Sequence, residues 1–394
     1  MTLAAHHVRP GRARLHRALL DSGAMPPAWA PAFEAIDRAW FLPRLMWPFD
    51  MTGSTSTVRD RDADPDAWFE AADANVPITT QWDDGRHTGP APGRVPTSSA
   101  SMPSVVAAML EDLDTRPGHN VLEIGTGTGW NAALLTQRLG ADHVTTVEID
   151  PIVAADAEKA LRSHGLHPTV VTGDGLLGHP PSAPFDRVIA TAGLRRIPHA
   201  WVEQTRPGGL IVAPWGTRLT NADHVVRLVV ADDGRSASGR FTTPVEFMKI
   251  RSQRPEHLDQ AAYLPDGFPG DADTTRTTLT AREAGFEDPL RHPFMTAASL
   301  LVTDCVLLSD RRDAAVSVWL YGLADRSWAA AVLHDTRPTS VVYQSGARRL
   351  WDEIEAAHHR WIELGRPTFD RFGLTVDARG EHPWLDTPTN PLHG

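Results

Sequence analysis

The run Val121-Leu122-Glu123-Ile124-Gly125-Thr126-Gly127-Thr128-Gly129 decides the fold. A short stretch, apolar but for one acid, has the length of a strand, and three alternate glycines follow it. Such glycines are needed where the backbone turns sharply at a strand's end and a ligand approaches without a Cβ in the way. Downstream, the apolar segment from Val144 ends in Glu148, nineteen residues after Gly129, and Val170-Val171-Thr172 leads into Gly173-Asp174-Gly175. An acid at the end of the second strand can accept hydrogen bonds from both hydroxyls of a ribose. A carboxylate after the third can take the amino group of an adenine.

Dinucleotide-binding folds use a similar glycine turn, but their spacing fits poorly here. Counted from Gly125, the last glycine of GxGxxG falls on Trp130; counted from Gly127, it falls on Ala132, which only the looser form of that motif allows. An acid before the turn, three alternate glycines and two spaced carboxylates instead resemble the class I methyltransferase arrangement. That resemblance implies S-adenosylmethionine as cofactor, held between about Asn120 and Asp174. Its expected contacts are Glu123, Gly125, Thr126, Gly127, Gly129, Trp130, Glu148, Ile149, Asp174 and Gly175.

The flanking sequence supports an α/β reading. A helix is expected to run to about Leu139, and Asp150 is a plausible cap with Pro151 in the first helical position and Gly165 as the stop. Arg187 to Thr191 and Leu210 to Ala213 are further short strands, so strands alternate with helices and predict a mainly parallel, Rossmann-like sheet with helices on both faces. Ser104 to Leu113 reads as an apolar helix with Ser104 as a candidate cap. Residues 1–50 read as short helices broken by prolines, and Met51 to Pro103 as a polar loop with little periodicity. After Arg254 the texture changes: Leu350, Ile354, Ala357, Trp361 and Leu364 form one face of an amphipathic helix, and Gly373 to Val376 suits a last strand. Three segments follow: 1–103, N-terminal helices and a substrate-facing loop; 104–254, the cofactor-binding core; 255–394, an α+β accessory domain read as peptide recognition.

Composition bounds the partners. The 394 residues are 41% hydrophobic, enough for buried cores. A formal charge of -11 and a pI near 5.9, with no long basic run, argue against nucleic acid. No window reaches 18 apolar residues, so no membrane span is expected, and the N-terminus has no secretory h-region. Cys305 is the one cysteine; neither a disulfide within the chain nor a thiolate metal cage can form, and a cytoplasmic setting fits. The pairs His6-His7 and His358-His359 lack metal-site spacing and read as surface histidines, so no metal is expected. Nothing in the sequence sets an oligomeric state.

From Ser99 to Gly216 the resemblance narrows to the protein-L-isoaspartate O-methyltransferase family. It is carried by Ser101-Met102-Pro103, Val121 to Trp130, Gly173 to Gly178, Ala183-Pro184-Phe185-Asp186, Thr191-Ala192-Gly193, Ile197-Pro198 and Pro207-Gly208-Gly209, with fainter echoes at Leu42-Pro43-Arg44 and Val76-Pro77-Ile78. The resemblance implies methyl transfer to a carboxylate of a peptide or protein bearing aspartate or isoaspartate. By position, Ser101 matches the family's key serine and Ser99 the threonine two residues before it. A carboxylate is already ionised at neutral pH, so alignment and partial desolvation are the work required.

Two departures separate this chain from the short repair enzymes. A polar insert lies between Ile78 and Ser99, where substrate would dock, and it supplies Trp82, Arg86 and His87 as expected substrate contacts; Thr191 is another. Most of the 13 tryptophans are read as core, with Trp82 the exception. The second departure is the domain after Arg254. Both resemble long variants of the family that accompany ribosomally made peptide natural products, the lanthipeptides and graspetides, which implies methylation of one aspartate in a macrocyclic peptide and closure to aspartimide or isoaspartate. The alternative is a general isoaspartate repair enzyme. A base methyltransferase is disfavoured because Thr191-Ala192-Gly193 stands where an Asn-Pro-Pro-Tyr type motif is wanted. An inactive scaffold is disfavoured because Glu148 and the loop serines are present.

Overall fold

A computed structural model of the chain describes residues 8–51, 53–255 and 258–392; the His6-His7 pair lies outside them. Two compact units divide it. The first comprises Met1–Ala192, Pro198–Val212 and Val229–Arg235, and the second Gly193–Ile197, Ala213–Leu228 and Ser236–Gly394.

In the first unit, α1 (Pro10–Asp21), α2 (Ala30–Ala35), β1 (Leu45–Asp50), β2 (Thr55–Ser56), β3 (Arg59–Asp60), α3 (Pro65–Ala72), β4 (Ile78–Trp82) and β5 (Pro96–Ala100) precede the core. The stretch from Met51 to Pro103 is therefore not the structureless loop its composition suggests. A small antiparallel sheet runs β2-β1-β4-β5, with β3 against β1. Its strands are too short for a period-2 pattern to register, which is why the sequence hides them. Its inner side packs Met46, Trp68, Ile78 and Ala100 into one cluster.

The core continues with α4 (Pro103–Asp112), β6 (Val121–Ile124), α5 (Trp130–Leu139), β7 (Val144–Glu148), α6 (Pro151–Ser163), β8 (Thr169–Thr172), β9 (Phe185–Ala190), α7 (His199–Glu203) and β10 (Thr205–Trp215), whose last residues fall in the second unit. The parallel order is β10-β9-β6-β7-β8. Every residue of β6 and β9 is buried, so both faces of the sheet centre are covered. The order reverses between β6 and β9, and in such sheets ligands bind at that switch, beyond the strands' carboxyl ends. Asp150 caps α6 as expected, accepting from the amides of Ile152 (2.9 Å) and Val153 (3.2 Å). Ser104 does not cap α4. The helix begins at Pro103 after Met102, and the Ser104 amide donates to Asn75 Oδ1 at 3.0 Å.

The second unit contains β11 (Asp223–Val230, its end in the first unit), β12 (Ala237–Val245), β13 (Asp273–Thr277), α8 (Ala281–Ala284), α9 (Pro293–Leu301), β14 (Cys305–Arg312), β15 (Ala315–Gly322), β16 (Trp328–His334), β17 (Ser340–Ser345), α10 (Leu350–Glu363), β18 (Phe372–Asp377) and β19 (Gly380–Leu385). An antiparallel sheet runs β13-β17-β16-β15-β14. The apolar face anticipated for α10 is buried at Leu350, Trp351, Ile354, Ala357 and Trp361. The anticipated last strand, β18, pairs antiparallel with β12 and is followed by one more, β19. His358 lies edge-on to Phe294, and His359 is exposed. Among the described residues no helix is long and apolar enough to cross a membrane, and no group of three or more His, Cys, Asp or Glu side chains could hold a metal ion.

Candidate functional site

The turn after β6 has Gly125, Gly127 and Gly129 at φ of 92°, 53° and 91°, a conformation side chains resist. It rests on a buried hydrogen-bond network. Glu123 is completely buried and accepts from Asn131 Nδ2 (2.7 Å) and from Thr146 Oγ1 (2.6 Å). The Thr146 hydroxyl lies 2.7 Å from that of Thr126. Burial raises the Glu123 carboxyl to about 7, against the opposing pull of those two donors. Thr191, at the end of β9, donates its hydroxyl to the Gly125 carbonyl.

Three expectations need correction here. Glu123 has no exposed surface and shapes the turn from below rather than touching a cofactor. Trp130 is likewise buried, its indole edge-on to Phe33 (5.6 Å) on the side of the N-terminal helices. The Thr191 hydroxyl is committed to the turn and not presented to a substrate. In each case the sequence identified the position, but a side chain beside a ligand-binding backbone often supports that backbone instead.

Two further carboxylates lie at the strand ends. Glu148 accepts from the amides of Gly127 (2.9 Å) and Asp150 (3.1 Å), which fixes its orientation at the mouth of the turn. Asp174 is exposed and accepts from the Leu176 amide at 3.0 Å, and its second oxygen has no partner among the described residues. Gly175 is required sterically, since a Cβ there would lie 2.5 Å from Ile124 Cγ2. Trp201 supports the same turn by donating its indole N–H to the Gly175 carbonyl (2.9 Å). Beside the carboxylates, Ile149 is 45% exposed and Leu177 is 65% exposed. The sequence reading passed over Leu177, although an apolar residue three positions after the acid at a strand end is a usable signal. Two carboxylates at successive strand ends, exposed aliphatic surface and a Cβ-free turn together fit an adenosine-bearing cofactor.

Ser99 lies on β5 and Ser101 immediately after it. Ser99 pairs with Thr79 across the β4–β5 hairpin, and its carbonyl lies 3.5 Å from where a Cβ on Gly127 would stand, so the hairpin abuts the turn. Ser99 and Ser101 are half-buried, and neither hydroxyl has a hydrogen-bond partner among the described residues. The hairpin also reaches the strand end beyond Glu148: Thr97 donates to Gln81 Oε1 (2.7 Å) and Gln81 Nε2 to Asp150 Oδ2 (3.2 Å).

The insert is compact. Asp83 accepts from the amides of Arg94 (3.0 Å) and Val95 (2.9 Å) and closes the loop. Trp82 corrects an expectation: its indole is buried, packed edge-on against Trp47 at 6.0 Å, and is not an exposed contact. Its sequence neighbours are polar, yet its hairpin position turns it inward. Arg86 is exposed, and His87 is half-buried with Nε2 2.7 Å from the Ala91 carbonyl.

Residues 91–254 match the family model described as protein-L-isoaspartate(D-aspartate) O-methyltransferase (PCMT). Among curated relatives, the protein-L-isoaspartate O-methyltransferase of Pyrococcus horikoshii is 45% identical over 118 residues, covering 30% of this chain and 53% of that protein. That of Methanopyrus kandleri is 45% identical over 129 residues, covering 32% and 56%. That of Xanthobacter autotrophicus is 41% identical over 152 residues, covering 38% and 65%. The chain thus spans little more than half the length of the first two. A solved protein-L-isoaspartate O-methyltransferase structure aligns with 95% of this chain and all of its own at a TM-score of 0.52 and 20% identity. The fold is that of the class I, S-adenosylmethionine-dependent methyltransferases, with a further unit.

Proposed function

We propose that this chain is an S-adenosylmethionine-dependent O-methyltransferase acting on the side-chain carboxylate of an aspartate-type residue in a peptide or protein. The observation that carries the reading is the pair of uncommitted hydroxyls, Ser99 and Ser101, on a hairpin abutting the Gly127 turn. The likeness of residues 91–254 to the isoaspartate methyltransferases supports it. Glu148 would hold the ribose, and Asp174, Ile149 and Leu177 the adenine.

Bound S-adenosylmethionine supplies an electrophilic methyl group on a sulfonium. The substrate carboxylate is ionised at neutral pH, so no general base need act and no proton changes hands. Ser101 donates to one carboxylate oxygen and leaves the other free to react, with Ser99 assisting from the adjoining position. The half-buried hairpin removes part of the carboxylate's water and holds it in line.

The finer reading is a dedicated peptide-tailoring enzyme. The substrate is one aspartate of a ribosomally made, macrocyclic peptide, and the ester closes to aspartimide as the next backbone nitrogen bonds the carbonyl and methanol leaves with the amide proton. The compact insert carrying Arg86 and His87 supports this reading, because a single-substrate enzyme benefits from extra recognition surface. Residues 255–394 would then contribute peptide recognition, in a cytoplasmic setting. General isoaspartate repair is the second reading. It is favoured because a fold likeness covering 95% of the chain makes the added unit unexceptional among proteins bearing that name.

Mass spectrometry of an isoaspartyl peptide, its aspartyl twin and a macrocyclic aspartyl peptide, each incubated with enzyme and cofactor, separates the readings. Methylation and methanol loss on the macrocycle alone support tailoring. Turnover of the plain isoaspartyl peptide makes this a repair enzyme. No methylation of any of the three overturns the carboxylate reading.

A further inference from the structure

Arg38 is buried, with 5% of its surface exposed, and among the described residues it hydrogen-bonds to no carboxylate. Its Nη donors go to main-chain carbonyls, while Nε is buried with no partner among the described residues. Nη1 reaches Ala74 (3.2 Å) and, at the limit of bonding, Ala72 (3.5 Å). Nη2 reaches Val76 (3.0 Å), Ala100 (2.9 Å) and Ser101 (2.9 Å). The guanidinium carbon also stands 5.5 Å from the ring centroid of Trp130, the first residue of α5 after the glycine turn. Its sequence neighbour Asp37 is fixed by a two-point pairing with Arg9 (2.6 and 2.9 Å), and Arg9 also grips Asp73 at the end of α3.

A buried cation without a paired anion is expensive. Burial draws the Arg38 guanidinium down to about 9, and the charge of Asp73 only partly opposes this. A chain that needed only packing here would do better with an apolar side chain. A planar fork is suited to a different task, that of holding several carbonyls from separate segments in one fixed arrangement.

We infer that Arg38 is a positioning residue, fixing the Ala100–Ser101 backbone against the Trp130 end of the glycine turn and so aiming the Ser101 hydroxyl. The inference rests on the methyltransferase reading above. Lysine at this position keeps the charge but cannot span carbonyls on two segments, so the serine loop loosens while the cofactor cradle stays. In R38K, kcat falls about 100-fold, the scale on which small misplacements act, while affinity for S-adenosylhomocysteine is unchanged.

Three measurements decide it. In a double-mutant cycle with S101A, the R38K loss vanishes in the S101A background, because Arg38 acts through Ser101. Hydrogen exchange at amides 99–102 rises in R38K while amides 121–130 keep their protection. Ethylguanidinium restores kcat to R38A if that variant folds, but not to S101A. An equal R38K loss in both backgrounds, or a parallel loss of cofactor affinity and thermal stability, overturns the inference and leaves Arg38 a structural residue. Should the wild type methylate none of the peptides, the functional reading fails, and the exchange pattern alone still decides whether Arg38 holds the serine loop.

Discussion

The two sides of the site are built on opposite principles. In the cofactor cradle nearly every polar side chain is committed internally: Glu123 to Asn131 and Thr146, Thr146 to Thr126, Thr191 to Gly125, and Glu148 to two amides. On the hairpin, the bonds between side chains stop at Gln81, Thr97 and Ser98; Arg38 holds the Ala100 and Ser101 carbonyls, and the hydroxyls of Ser99 and Ser101 are left uncommitted among the described residues. A preorganised cradle binds an invariant ligand with little reorganisation. An uncommitted pair of hydroxyls on a held backbone keeps its donors free for substrate. The difference assigns affinity for the cofactor to one side and turnover to the other, and substitutions can break that assignment.

The largest effect is expected from E148A. Two hydrogen bonds to a charged acceptor are lost, each contributing about 1.5–3 kcal/mol, so calorimetry should find S-adenosylhomocysteine bound about 1000-fold more weakly. S101A should leave that affinity intact and lower kcat about 100-fold, the cost of removing one orienting donor. S99A should cost less, because its carbonyl rather than its hydroxyl meets the Gly127 turn. If S101A weakened cofactor binding as much as E148A does, the two-sided division would be wrong.

The cradle was legible in the sequence and the hairpin was not, for a physical reason. Gly125, Gly127 and Gly129 are demanded by backbone geometry, and Glu148 and Asp174 by strand ends, so local sequence reports them directly. Glu123, Trp130 and Thr191 were found at the right positions but in the wrong role, because burial decides whether a side chain beside a ligand supports or contacts it. The β4–β5 hairpin escaped because Thr79, Thr80, Ser98 and Ser99 are polar on both faces and offer no alternation to read. Trp82 misled for the same reason: polar neighbours implied exposure, whereas its partner Trp47 lies some thirty-five positions earlier in the chain. Arg38 gave no local signal, since its partners come from residues 72–76 and 100–101.

A fourth substitution tests how much of the cradle's rigidity is backbone geometry. G129A forces an L-residue to φ of 91° and brings a Cβ to 3.3 Å from Ala157 Cβ on α6. The left-handed conformation alone costs about 1–2 kcal/mol, and the contact adds to it. G165A is the control, because Gly165 is at φ of 73° with nothing within 4 Å. Both variants should unfold at lower temperature in a thermal melt, and G129A by more. Equal losses would mean that the turn-to-α6 contact contributes nothing and that the cradle is less tightly seated than its glycines suggest.

The smallest effect isolates the acid beneath the turn. Glu123 is raised from 4.5 to about 7 in the folded chain, so between those values the folded state holds a proton that the unfolded state has released. The folded state therefore binds more protons than the unfolded, and stability must fall as pH rises through that window. E123Q removes the titration while its amide oxygen can still accept from Asn131 or Thr146, so the decline in unfolding free energy from pH 4.5 to 7 should be shallower than in the wild type. Some slope will persist, because burial also raises Asp223 to about 6 and Glu381 to about 7, both in the second unit. The profile thus reads the two units separately: E123Q should flatten only the first unit's share, and E381Q only the second's. An E123Q profile parallel to the wild type's would show Glu123 fully ionised at its site, with Asn131 and Thr146 outweighing burial, and the network under the turn would then be an ionic one.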